Sequence, residues 1–135
     1  MTDNSVVPIV GFGYFSLYFA DLPRAIEFYS LVFGEPASKD EGKQIFGWKM
    51  GTSWLTLLPS NMGTSTITNP CNAEFAVQVS TPLDVDVLHK RLLSAGAAEV
   101  MPPHDTSMYE PMRFSCVDDV FGVRIDVYCP LVNAA

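Results

Sequence analysis

No apolar run in this chain approaches the ~20 residues that span a bilayer, and its start lacks the basic-then-apolar pattern of an export signal. A cytoplasmic protein with no membrane partner is the expectation. Positive charge is also scarce: 8 Lys and Arg stand against 15 Asp and Glu, a net charge of −7. Such a chain offers no basic stripe to displace the counterions of a phosphate backbone, which argues against a nucleic-acid partner and suits a neutral or cationic small ligand. The three cysteines, Cys71, Cys116 and Cys129, are odd in number and form no C-x-x-C pair. Neither a disulfide framework nor a zinc knuckle is therefore expected, and all three read as buried reduced thiols. Histidine is rare too, with only His89 and His104.

What is present is enough apolar material for one core. With 135 residues and 48% hydrophobic content, the chain reads as one domain over residues 1–135. Ten prolines and nine glycines punctuate apolar runs instead of forming a tract. The first seven and last four residues read as loose ends.

Residues 10–20 alternate Tyr14, Ser16 and Tyr18 against Phe15, Leu17 and Phe19, a strand with an apolar back and a more polar front. Asp21 caps a helix with Pro23 in its first turn, an apolar stripe of Leu22, Ala25, Ile26, Tyr29 and Phe33, and Gly34 as its stop. A short extended piece near Ala37–Lys39 and two strands joined at Gly51 follow, ending near Pro59. After a Gly/Ser/Thr/Asn/Pro linker the order repeats. Residues 73–80 alternate, Thr81 and Asp84 form a capping-box pattern, and Val85, Leu88 and Leu92 stripe a helix that ends at Gly96. A short strand over 98–103, a loop over 104–111, and a hairpin turning through Asp119–Gly122 complete the second copy. The pattern predicts an α+β chain of two βαβββ modules, over about 9–59 and 73–130.

These motifs carry a resemblance. Asp21, Leu22, Ala25, Phe28, Tyr29 and Gly34 in the first helix, with Asp119, Gly122, Arg124, Ile125 and Asp126 in the closing strand, resemble the vicinal oxygen chelate superfamily of glyoxalases, bleomycin-resistance proteins and extradiol dioxygenases. The resemblance covers about Ile9 to Pro130. It implies a curled mixed sheet whose concave cleft holds a ligand, and a homodimer with two sites. It also implies a place for a divalent ion, held by histidines and glutamates, that acts as a Lewis acid on adjacent substrate oxygens. At the matching positions stand Tyr14, Thr56, Glu74 and Asp126. No histidine is among them, so nickel, zinc or iron would lack imidazole ligands. The expectation is no metal cofactor, with a weak hard-cation site at Tyr14, Glu74 and Asp126 as the alternative.

The expected cleft face collects Tyr14, Ser16, Tyr18, Phe46, Trp48, Met50, Trp54, Thr56, Glu74, Gln78, Asp126 and Tyr128. Rings beside carboxylates suit an aromatic or cationic small molecule. Trp48 and Trp54 have an equal claim to a dry core or a dimer interface. Glu74 and Asp126 are the candidate catalytic pair, because facing carboxylates raise each other's proton affinity and one can then act as acid or base. A buried or half-buried pair tied to Arg124, Arg113 or a tyrosine hydroxyl is the alternative role for them. His89 reads as a helix-flank residue and His104 as a solvated loop residue. Phe15, Leu17, Phe19, Ile26, Phe33, Phe75, Val77, Val79, Leu88, Leu92, Ile125 and Val127 read as core. A metal-independent small-molecule binder is the leading expectation. A divalent-metal lyase, isomerase or dioxygenase with a drifted ligand set is the alternative, and an accessory module with an empty cleft is the third.

Overall fold

The computed structural model describes residues 7–63 and 68–131. Residues 64–67 of the expected linker, and the expected loose ends apart from Val7, lie outside the described residues. Module 1 runs β1 (Tyr14–Phe19), α1 (Leu22–Phe33), β2 (Ser38–Asp40), β3 (Ile45–Met50) and β4 (Ser53–Pro59), then a 3-10 turn at Ser60–Met62. Module 2 repeats it with β5 (Ala73–Gln78), α2 (Pro82–Ser94), β6 (Ala98–Met108), β7 (Glu110–Asp118) and β8 (Val123–Pro130). Each module is a four-stranded mixed sheet, ordered β1-β4-β3-β2 and β5-β8-β7-β6. The first strand of each module is an edge strand, parallel to the last. The fold is therefore α+β with two βαβββ modules.

Local chemistry sets the helix ends. Asp21 Oδ1 accepts from Arg24 N at 3.2 Å and Thr81 Oγ1 from Asp84 N at 3.2 Å, which satisfies donors that a first turn leaves free. Gly34, at φ 85°, stops α1 by turning its N–H onto Ser30 O. One core serves both modules. Phe19, Leu22, Ala25, Phe28, Tyr29 and Val32 pack with Val85, Leu92, Val117, Val123, Ile125 and Val127.

The two motifs behind the resemblance meet in this core. Tyr29 Oη donates to Asp119 Oδ2 at 2.9 Å across 90 residues of sequence. The other oxygen, Asp119 Oδ1, accepts from Phe121 N at 2.7 Å and Val123 N at 2.8 Å. Gly122 takes φ 97° in that turn, where a side chain would be strained. Phe121 projects from the turn onto Phe19 and Phe28, with ring centroids 5.0 and 6.4 Å away. The motif residues thus clasp module 1 to module 2.

Four expectations change. β6 extends to Met108 and takes in most of the expected loop, because β7 pairs with it as far as Met108↔Glu110, and only Tyr109, at φ 66°, turns the hairpin. Phe15 is exposed at the open start of β1, where it meets Phe12 instead of the core. His89 is buried, at 4% exposure, and its Nε2 lies 2.7 Å from Glu99 Oε2. Cys71 is exposed, while Cys116 and Cys129 are buried as expected.

Candidate functional site

On module 1, parallel pairing sets Tyr14, Ser16 and Tyr18 beside Trp54, Thr56 and Leu58 on one face. With Ile45 these six line a hollow of about 400 Å³. The β3 residues expected here are on the opposite face. Phe46 and Trp48 stand opposite Leu57 and Leu55, so they point to the helix side, and Met50 packs with them. The parity of a strand decides its face, and an assignment off by one residue inverts it. Trp48 is accordingly a core residue, 2% exposed, its ring tilted against that of Tyr29 and its Nε1 donating to Gly34 O at 2.7 Å. The cleft side of β3 presents Ile45, Gly47 and Lys49 instead. A Cβ on Gly47 would lie 3.2 Å from the Trp54 ring, so glycine there leaves room for the indole. Lys49 Nζ sits over that ring, 4.7 Å from its centroid.

On module 2, Glu74, Ala76 and Gln78 pair with Arg124, Asp126 and Tyr128. Arg124 is held by Asp118, with Nε 2.9 Å from Oδ1. Tyr128 Oη donates to Gln78 Oε1 at 3.2 Å. Asp126 is 7% exposed, and its Oδ1 has no hydrogen-bond partner. Burial, and next the neighbouring Glu74 carboxylate, push its carboxyl up to about 7, against the opposing pull of Arg124. Burial and then the Asp126 charge likewise raise the Cys116 thiol from its ordinary value.

The two faces meet at a larger opening. A groove of about 790 Å³ runs between module 1 and β5, lined by Phe12, Phe15, Lys49, Met50 and Trp54 on one wall and by Glu74, Phe75, Gln78 and Tyr128 on the other. It unites Trp54, Glu74, Gln78 and Tyr128 of the expected ligand set. Tyr14, Ser16, Tyr18 and Thr56 line the module 1 hollow, which shares Trp54 with the groove. Asp126 lies beneath the module 2 face and lines neither opening. Lys49, Phe12 and Phe15 line the groove without being revealed by the sequence patterning: Lys49 follows from the inverted face of β3, and the other two from how the modules dock.

The donor set does not fit the ion that the resemblance implies. Tyr14 and Thr56 belong to one sheet and Glu74 and Asp126 to the other, and neither the module 1 hollow nor the groove is lined by all four. Among the described residues no three His, Cys, Asp or Glu side chains converge as metal ligands. His104 sits within β6, its Nδ1 2.7 Å from Pro102 O, and His89 is turned toward Glu99.

Residues 11–127 match the model of the glyoxalase/bleomycin resistance protein/dioxygenase superfamily. The chain belongs to that superfamily. Solved structures share its fold at low identity. A glyoxalase-related enzyme from Fulvimarina pelagi superposes with a TM-score of 0.72 at 19% identity, over 93% of this chain and 94% of that one. A family enzyme from Burkholderia phytofirmans gives 0.71 at 19%, over 88% and 98%. TioX from Micromonospora gives 0.67 at 21%, over 90% and 99%. A search of curated proteins finds no match. Superfamily membership accounts for the helix and turn motifs, whose visible work is the Tyr29–Asp119 clasp; it leaves the ligand open.

Proposed function

We propose that this superfamily member binds a small planar molecule carrying a positive charge, without a metal, and works as a pair of identical chains. The observation that carries the reading is the groove between the modules. One wall offers the rings of Trp54, Phe12 and Phe15, and the other the Glu74 carboxylate with the Gln78–Tyr128 hydrogen-bonded pair. A flat ligand stacks on Trp54 by displacing Lys49 from over the indole, and its cationic end meets Glu74. Apolar walls exclude water, and a few polar groups at one end set orientation. The open edges of β1 and β5, each with a single neighbouring strand, support pairing with a second chain.

A thermal-shift screen of planar aromatic amines and amidines in EDTA tests the reading. Hits should raise the melting midpoint of the wild type, and lose that effect in Trp54→Ala and Glu74→Gln. Stabilisation that needs added nickel, zinc or manganese would favour the metal-dependent lyase, isomerase or dioxygenase reading instead. A second, metal-free reading has an observation of its own. The buried Asp126 carboxyl, titrating near 7 beside Glu74, is suited to proton transfer at neutral pH. Turnover abolished by Asp126→Asn with unchanged ligand affinity would favour that enzyme.

A further inference from the structure

The groove between the modules carries one side chain of each sign. Among the described residues that line it, Lys49 on the module 1 wall and Glu74 on the module 2 wall are the charged ones. They do not neutralise each other. Lys39, Arg113 and Arg124 are held by carboxylates, whereas Lys49 makes no ion pair among the described residues. Its Nζ rests instead over the Trp54 ring, 4.7 Å from the centroid, because Lys49 and Trp54 are direct partners across the β3–β4 ladder. Gln78 and Tyr128, hydrogen bonded to each other on the Glu74 wall, add no charge.

We infer that the ligand is a zwitterion: a flat aromatic body whose cationic group meets Glu74 and whose other end carries a carboxylate or comparable anion that pairs with Lys49. The inference rests on the reading of the groove proposed above and adds the second charge.

The reason is the fate of Lys49 when the groove fills. A ring that stacks on Trp54 takes the place of the ammonium, and the displaced Lys49 stays on the same wall because its backbone is fixed in β3. A ligand with positive charge alone then brings two like charges into a space with apolar walls, where repulsion is stronger than in bulk water. An anion on the ligand turns that repulsion into a charge-assisted hydrogen bond. Lys49 thus discriminates twice, by opposing plain cations and by attracting the anionic end of a zwitterion. Size agrees with this. The groove's volume of about 790 Å³ lies within the ~300–1,000 Å³ of small-molecule sites and exceeds what a single ring fills. A zwitterion also carries no net charge, so the field of a chain at −7 neither draws nor repels it, and selection falls to the local pair of Lys49 and Glu74.

Calorimetric titration of the full chain in EDTA tests it, with benzamidine, its 3- and 4-carboxylates, and benzoate as probes. At least one carboxybenzamidine should bind the wild type about tenfold or more tightly than benzamidine and than benzoate. Lys49→Met, which keeps an unbranched stem and removes the charge, should abolish that advantage and improve the binding of benzamidine itself. Lys49→Arg should retain the advantage. Glu74→Gln should weaken the carboxybenzamidine and benzamidine alike. Lys49 is exposed, so circular dichroism should be unchanged in its variants, and the comparison of probes on the wild type decides the question even where a variant misfolds. Benzamidine that binds as tightly as both carboxylates overturns the inference and leaves the cationic reading of the groove standing. An advantage that survives in Lys49→Met does the same. Benzoate that matches the carboxybenzamidines, or no binding by any probe, overturns the inference and the cationic reading together.

Discussion

Asp126 keeps one oxygen without a partner under the face of module 2, and its titration couples pH to stability. Its carboxyl titrates near 7 in the folded chain and near 3.9 in the unfolded one. The folded state then binds more protons between these values, so this group's contribution is fully present below about 4 and is lost as pH rises toward 7. Glu74 from β5, Cys116 from β7 and Arg124 from β8 are the groups facing it. Urea unfolding at pH 5 and pH 8 should show greater stability at pH 5, and Asp126→Asn should shrink that difference. A second residue-scale prediction concerns the clasp. Tyr29→Phe removes one donor from buried Asp119 and should cost about 1–3 kcal/mol in urea unfolding. A cost near zero would show that the clasp contributes no stability. At this scale the two tryptophans mark what was legible. Alternation could not tell Trp48 from Trp54, and docking against α1 sends the first to the core, where Gly34 O accepts its ring N–H.

Helices and turns were readable because their signals are local. Asp21, Thr81, Pro23, Pro82, Gly34 and Gly96 act through neighbours a few residues away, and the structure places α1 and α2 between those signals. Thr81→Ala should cost about 1 kcal/mol by removing the α2 cap, read as a lower urea midpoint. The strands were harder. β3 holds apolar residues at Ile45, Phe46, Trp48 and Met50, so both parities look plausible, and only pairing with Leu55 and Leu57 decides which faces the helix. The loop-like composition from His104 to Met108 suggests a shorter β6, which ladder bonds to β7 override. Replacing Gly47 by leucine would drive a side chain into the space of Trp54. Ligand-induced stabilisation should then fall while the fold persists, whereas an undiminished ligand effect would move the site away from Trp54.

At the scale of the molecule, the repeat was legible and the site was not. The module order can be read twice along the chain, and the motif residues Tyr29 and Asp119 serve the packing of one module on the other. The groove depends on that packing, and no local pattern records which residues of module 1 come to face β5. The absent histidines were visible in the sequence; that the remaining donors divide between two sheets was not. The most direct measurement is a ¹H–¹⁵N spectrum of EDTA-treated protein titrated with benzamidine, a flat aromatic cation. Saturable shifts are expected at the Trp54 indole, the Gln78 side chain and the amides of Thr52 and Ser53, which also line the groove, with their loss in Glu74→Gln. Shifts confined to residues outside the groove, or shifts that arise only after a divalent metal is added, would contradict the proposed function.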